Sequence, residues 1–145
     1  MKKTIMAAGL AAVLTACGSS GNKTETMTEN PLLTEFKTPF GVPPFDKIEL
    51  DDYMPAFKEG IAQQQKEVEE IVKQKAAPDF ENTIVALDQS GDLLRKVSAI
   101  FYGLNSANTN DEMQALSREL SPLLSKNSDD IRMNPDLFAR VKTVY

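Results

Sequence analysis

The chain has 145 residues, of which 41% are hydrophobic, and its 16 basic and 21 acidic residues give a formal net charge of −5. It contains no histidine and a single cysteine, which excludes serine–histidine and cysteine–histidine catalysis, imidazole-ligated zinc sites and disulfides within the chain. The basic residues are scattered without interleaved aromatic residues, a pattern that argues against nucleic acid as a partner.

Residues 1–16 have the features of a bacterial signal peptide. Two lysines form a basic start, and the apolar run after them, about 12 residues long, is too short to span a membrane. The run leads into Leu-Thr-Ala-Cys at residues 14–17, which resembles the lipobox of bacterial lipoproteins. The pattern predicts that Cys17 is lipidated and anchors the protein to a membrane of the cell envelope, facing the periplasm. The alternative is an ordinary secretory signal with a chance cysteine.

Residues 17–30 are predicted to form a flexible tether, because their small, polar composition buries too little apolar surface to fold. Residues 31–145 are predicted to form the folded body. In its first part, residues 31–47, the prolines exclude a regular helix. Four apolar side chains of this proline-rich segment are expected to pack as extended chain on the helices: Phe36, Phe40, Val42 and Phe45. A short motif that docks onto another protein is the alternative.

The first helix is predicted over about residues 51–75, with Asp51 or Asp52 as its cap. Its inner stripe repeats at helical spacing and consists of Tyr53, Phe57, Ile61, Val68, Ile71 and Val72. Three acidic side chains raise the question of a metal site: Glu67, Glu69 and Glu70. A hard-cation site needs about six or more converging oxygen ligands, so a solvated helix face is the better interpretation.

Residues 78–107 are predicted to form one long central helix. Asp79 is its cap, Phe80 is expected to be buried at its start, and a bend is permitted at Gly91. The apolar positions keep one helical face throughout: Phe80, Ile84, Leu87, Leu94, Val97, Phe101 and Leu104. This face is suited to a protein core and carries no chemistry by itself.

A third helix is predicted over residues 109–132. Thr109 and Glu112 have the spacing of a capping box, and Pro122 is expected to kink the helix. Asp129 and Asp130 are a carboxylate pair, but neighbouring residues of a helix point in different directions. Acid–base catalysis by this pair is therefore not predicted.

A fourth helix is predicted to begin at Asn134-Pro135, with Pro135 at its first helical position. Its apolar stripe continues to Tyr145 without a glycine or polar cap. We therefore expect the natural polypeptide to continue beyond this residue. The predicted fold class is all-α, an antiparallel fragment of about four helices, with no catalytic, cofactor-binding or metal-binding residue assigned.

Three ordered stretches resemble the N-terminal region of the thimet oligopeptidase and peptidyl-dipeptidase family of zinc metallopeptidases. They are Pro43-Pro44-Phe45-Asp46-Lys47-Ile48 with Tyr53, Pro55-Ala56-Phe57 and Gly60-Ile61; Phe80-Glu81-Asn82-Thr83-Ile84 with Leu87, Ser90-Gly91 and Leu94; and Asn134 with Leu137-Phe138 and Arg140-Val141. The resemblance covers residues 40–145 in family order and spacing. None of these motifs is catalytic.

The resemblance implies a helical protein of two lobes around a channel for short peptides. In the family, zinc is bound by a His-Glu-x-x-His helix and a further glutamate, and the motif glutamate activates the attacking water. No residue of this chain corresponds to that motif, so zinc is expected only in the full-length protein. The resemblance thus implies a scaffold role in one channel wall, and the predicted lipidation of Cys17 would make the whole protein a lipid-anchored peptidase. The alternative is a stand-alone helical lipoprotein that acts as an adaptor or binding module.

Overall fold

The structure, a computed structural model, describes residues 29–145. The predicted signal peptide, Cys17 and most of the predicted tether lie outside the described residues. Every regular element in the described range is a helix or helical turn, and this range contains no strand. The all-α prediction is therefore confirmed.

The proline-rich segment forms two short 3₁₀ turns, Pro31–Leu33 and Pro39–Gly41, joined by irregular chain. Leu32 is fully buried in the core, and Phe36 packs against it from the edge. The expected packing is wrong for the other three side chains of this segment. The backbone of Phe40 has a φ of 60°, and its side chain is fully exposed. Val42 and Phe45 are about half exposed.

Helix α1 spans Leu50–Lys73. Its N-cap is Glu49, so the predicted cap at Asp51 or Asp52 is wrong, because Asp52 serves as the third residue of a capping box. The Asp52 carboxylate accepts a hydrogen bond of 2.8 Å from the Glu49 backbone N–H. The inner stripe is largely confirmed, since Tyr53, Phe57, Val68 and Ile71 are buried.

The predicted long central helix is interrupted at Gly91. Before the interruption, a π-helical turn, Phe80–Val85, continues directly into the short helix α2, Ala86–Gln89. After it, helix α3 spans Asp92–Ala107. Gly91 has a φ of 78°, which ends the first part because this left-handed conformation is incompatible with a continuing helix. Phe80 is 58% exposed, and Thr83 occupies the buried position of the turn. The predictions of one helix and of a buried Phe80 are therefore wrong.

Helix α4 spans Asp111–Arg132 and runs continuously through Pro122. Its cap is Asn110, whose side chain accepts a 2.8 Å hydrogen bond from the Met113 N–H. The predicted cap Thr109 instead donates its hydroxyl to Asn105. Helix α5, Pro135–Val144, begins at the predicted proline. The Asn134 side chain caps it by accepting from two backbone N–H groups.

The main core lies where α1 and α3 pack together. Phe101 contacts Tyr53 and Phe57 edge-on, with ring centroids 5.0 and 5.7 Å apart. Gly60 permits the close approach of α3, since a Cβ at this position would lie 3.0 Å from the Leu94 Cα. A second core joins α1 to α5 through Val68, Ile71 and Leu137.

Candidate functional site

Arg140 is the charged side chain that the structure buries within residues 29–145, with 8% of its surface exposed. Helix α5 turns it inward together with Leu137, three residues earlier on the same face. A buried guanidinium needs hydrogen-bond acceptors, because desolvating its charge is unfavourable.

The Arg140 guanidinium links three segments that are distant in sequence. One nitrogen, Nη1, donates to the carbonyl oxygens of Gln74 at 3.3 Å and Ala76 at 3.5 Å, just beyond the end of α1. The other, Nη2, donates to Asn82 Oδ1 at 2.9 Å and to Thr83 Oγ1 at 3.5 Å in the π-helical turn. These five residues, which we call the Arg140 cluster, connect α5 to the end of α1 and to the π-helical turn.

The acceptors of the Arg140 cluster are neutral: two backbone carbonyls, an amide and a hydroxyl. The positive charge lies next to the C-terminal end of α1, where the helix dipole favours a cation. Both terminal nitrogens are used within the protein, and Nε is buried without a partner among residues 29–145. The Arg140 guanidinium therefore has a structural role in holding these segments together, and it is not an open site for an anion.

Asn82 is the central member of the π-helical turn. Its Oδ1 also accepts from the Asp79 backbone N–H at 3.1 Å, and its Nδ2 donates to the Ala77 carbonyl at 2.9 Å. Its own N–H donates to Asp79 Oδ1 at 2.7 Å, which confirms Asp79 as the cap. The Phe-Glu-Asn-Thr motif therefore turns its last two residues inward and leaves Phe80 and Glu81 exposed.

A second set of polar contacts connects α1 to α4 and to the turn at Ser90-Gly91, here called the glycine turn. The buried Asn127 donates to Gln64 Oε1 at 2.7 Å and accepts from Gln65 Nε2 at 3.1 Å. Glu67 Oε2 accepts from the Gly91 N–H at 2.7 Å. These contacts fix the helices relative to one another.

The acidic groups considered as sites have separate surroundings. Glu67 is bound to the glycine turn, whereas Glu69 pairs with Lys73 and Glu70 with Lys66. Asp130 pairs with Lys126 on the exposed side of α4, and Asp129 is likewise exposed. Within residues 29–145 no three potential metal-ligating side chains of histidine, cysteine, aspartate or glutamate come together.

An apolar groove of about 390 Å³ runs along one side of α3, next to the proline-rich segment. Seven residues line it, and none carries a charge or a polar side chain: Pro43, Phe45, Ala99, Ile100, Gly103, Leu104 and Ala107. Phe45 is 51% exposed at its edge. We call this surface the α3 groove.

None of the helices in the described part of the chain is both long enough and apolar enough to cross a membrane. No protein-family model matches the chain.

Curated proteins do match it. The chain is 47% identical over 119 residues to a dipeptidyl carboxypeptidase of Salmonella typhimurium, and 43% identical over 118 residues to one of Escherichia coli. It is 31% identical over 109 residues to oligopeptidase A of Escherichia coli. The chain is homologous to the thimet oligopeptidase family. The resemblance found in the sequence is therefore confirmed.

The homology to the thimet oligopeptidase family covers most of this chain but little of its relatives. The alignment with the Salmonella protein includes 82% of this chain and 18% of that protein. The alignment with oligopeptidase A includes 75% of this chain and 15% of the relative.

The structure gives a structural role to residues in two of the three stretches on which the thimet oligopeptidase resemblance rests. It brings Asn82 and Thr83 of the second stretch into contact with Arg140 of the third. This role of Arg140 was not predicted from the sequence. The detectable signal was an arginine within the apolar stripe of α5, three residues after Leu137 and next to Val141.

Proposed function

We propose that this chain is the N-terminal helical scaffold of a larger zinc peptidase that hydrolyses short peptides, and that it forms part of a channel wall. The observation that carries the proposal is the 47% identity over 119 residues to a dipeptidyl carboxypeptidase. Oligopeptidase A, a second peptidase, matches much of the same chain. The names of both relatives describe enzymes that act on peptides.

The internal contacts support a scaffold role for this part. Asn82, Thr83 and Arg140 lie in the matching stretches, and their side chains bind other parts of the same body. Residues used in this way hold helices in position and are not available to bind a substrate. We therefore assign the catalytic groups of the whole protein to residues outside this chain.

The residues described here do not fit a zinc site. The chain has no histidine, and the acidic side chains of residues 29–145 do not gather into a group of three. We therefore assign no zinc ligand and no catalytic group to this chain. In the proposal, zinc and the water-activating glutamate are supplied by the remainder of the protein.

Membrane attachment is the second part of the proposal. Cys17 follows a basic and apolar leader, and a tether of about 12 residues separates it from the folded body, a span on the order of 20 Å. A lipidated Cys17 would hold the peptidase at a bacterial membrane while the tether keeps the body clear of the lipid headgroups. Short peptides in the cell envelope would then be its substrates.

The coding sequence after the Tyr145 codon tests the peptidase proposal. We expect the reading frame to continue for several hundred codons and to encode a His-Glu-x-x-His motif. A stop codon directly after Tyr145 would contradict the proposal and favour the adaptor lipoprotein instead.

A further inference from the structure

We propose that the end of the folded body at which helix α1 begins faces the lipid surface, and that α1 acts as a spacer between this surface and the Arg140 cluster. The inference rests on the proposed lipidation of Cys17. It goes beyond that proposal because it gives the anchored protein an orientation. The orientation follows from the point at which the chain from Cys17 joins the body.

Residues 30–36, here called the N-terminal clip, form this point of attachment. The Asn30 side chain donates to the Asp52 carbonyl oxygen at 2.8 Å, in the first turn of α1, and accepts from the Leu32 N–H at 2.9 Å. Leu32 is fully buried as a member of the main core. Exposing such a side chain to water is unfavourable, so the clip stays on the body.

Helix α3 holds the other end of the N-terminal clip. Lys96 Nζ donates to the Thr34 carbonyl oxygen at 3.4 Å and lies 4.7 Å from the centroid of the Phe36 ring. The second distance is within the range of a cation–π contact. The clip is therefore held by α1 and α3 together, and the chain that leads from Cys17 is secured from Asn30 onwards, well before α1 begins.

The chain before Asn30 limits how far the clip can lie from the anchor. Asn30 is 13 residues after Cys17, so the two residues are at most about 45 Å apart even when this chain is fully extended. A flexible coil of this length would span on the order of 20 Å. The start of α1, which binds Asn30, is thus the part of the body that is kept within this distance of the membrane.

The other end of α1 has no such restraint. The helix has 24 residues and is about 36 Å long. Arg140 binds the carbonyl groups of Gln74 and Ala76 just beyond its far end, and Tyr145 follows only five residues later. The polypeptide therefore enters the body at one end of α1 and reaches Tyr145 near the other, which places the Arg140 cluster further from the lipid.

Energy transfer to the membrane tests the inference. The whole lipidated protein is reconstituted into vesicles of phosphatidylethanolamine and phosphatidylglycerol that carry an acceptor dye on the lipid headgroups. A donor dye is coupled to an azide-bearing amino acid at one of three exposed positions: Asp51 or Glu59 of α1, or Lys75 just after it. The matched control carries about 30 additional glycine and serine residues after Asn22, which lengthen the tether and leave the body unchanged.

We expect energy transfer to decrease in the order Asp51, Glu59, Lys75, and to be at least about twofold greater from Asp51 than from Lys75, because about 36 Å of helix separates them. In the lengthened control this ratio should fall towards one, since the tether can then extend to several times the length of α1. Equal transfer from the three positions, or the reverse order, would overturn the inference.

An unchanged ratio in the lengthened control would also overturn the inference, because a surface of the body would then bind lipid directly. Incorporation of labelled fatty acid and peptidase activity are measured on the same samples. A protein that incorporates no fatty acid refutes the anchor and the orientation together. A lipidated, active protein with equal transfer refutes the orientation alone, and a lipidated but inactive protein with the expected order refutes the proposed activity alone.

Discussion

Arg140 joins α5 to the end of α1 and to the π-helical turn by four hydrogen bonds from two nitrogens. Lysine carries the same charge but concentrates its donors on one atom, so it cannot reproduce this fork. We expect Arg140→Lys to lower the free energy of unfolding by about 1–3 kcal/mol, measured by urea denaturation. Arg118→Lys, at an exposed position of α4, is the control and is expected to change stability by less than about 0.5 kcal/mol. Equal effects of the two substitutions would show that the Arg140 contacts contribute little.

Tyr53 is buried in the main core, and its hydroxyl has no hydrogen-bond partner among residues 29–145. Tyr53→Phe removes this hydroxyl and keeps the ring against Phe101. We expect the free energy of unfolding at pH 7 to stay equal or to rise by about 1 kcal/mol. A loss of more than about 1 kcal/mol in a urea titration would contradict this account of the hydroxyl.

Tyr53 should also make the free energy of unfolding depend on pH. Burial, with a smaller contribution from the Asp52 charge, raises the pKa of Tyr53 above its usual value of 10.0. The folded state therefore holds this proton more tightly than the unfolded state. The resulting stability is fully present below pH 10 and is lost as the pH rises from there through the folded-state pKa. Urea titrations at pH 7 and pH 11 should show a smaller alkaline loss for Tyr53→Phe than for the wild type.

At the scale of the elements, Gly91 determines where the central segment breaks. Its φ is 78°, and a Cβ would lie 2.5 Å from the Gln64 side chain, which also binds Asn127. We expect Gly91→Ala to lower the free energy of unfolding by about 2 kcal/mol in thermal or urea denaturation of the chain.

Gly103→Ala is the matched control, since Gly103 lies inside α3 and a Cβ there meets nothing within 4 Å. In the 145-residue chain it is expected to raise stability by up to about 1 kcal/mol. If both substitutions behaved alike, the left-handed turn at Gly91 would not be needed for the fold.

The helices were predictable from the sequence because their apolar residues repeat at 3.6-residue spacing. The same spacing hid the break at Gly91, since the apolar positions keep their phase on both sides of it. Only the tertiary contacts of Gly91 with Glu67 and Gln64 show why the helix ends there. The exposure of Phe40 was unpredictable because an apolar residue in a turn carries no periodic information about its direction. Phe80 follows the periodicity of the stripe, but the π-helical turn Phe80–Val85 does not have the α-helical period, so the spacing gave the wrong side for this residue.

The Arg140 cluster was also beyond the reach of spacing rules. Arg140 lies 57 residues from Thr83 and 66 from Gln74 in sequence, and no local pattern joins them. The resemblance to the thimet oligopeptidase family picked out Asn82, Thr83 and Arg140 of this cluster without giving a reason. The structure supplies that reason as a set of hydrogen bonds.

At the scale of the whole molecule, the anchor proposed at Cys17 predicts how the protein fractionates. Acyl chains contribute about 0.8 kcal/mol per buried CH₂, and more than one chain gives stable attachment. We expect the wild type to sediment with membranes and to incorporate labelled fatty acid. Cys17→Ser should block this labelling and leave the precursor unprocessed. Recovery of the wild type entirely in the soluble envelope fraction would refute the anchor.

We propose that this chain is a scaffold within a peptidase and supplies none of its catalytic or zinc-binding groups. The most direct measurement compares the hydrolysis of a blocked short peptide by the whole protein and by the 145-residue chain, each with and without a metal chelator. We expect the whole protein to cleave the peptide, to lose activity with the chelator and to regain it with zinc, while the 145-residue chain stays inactive throughout. Chelator-sensitive hydrolysis by the 145-residue chain, or an inactive whole protein, would contradict the account.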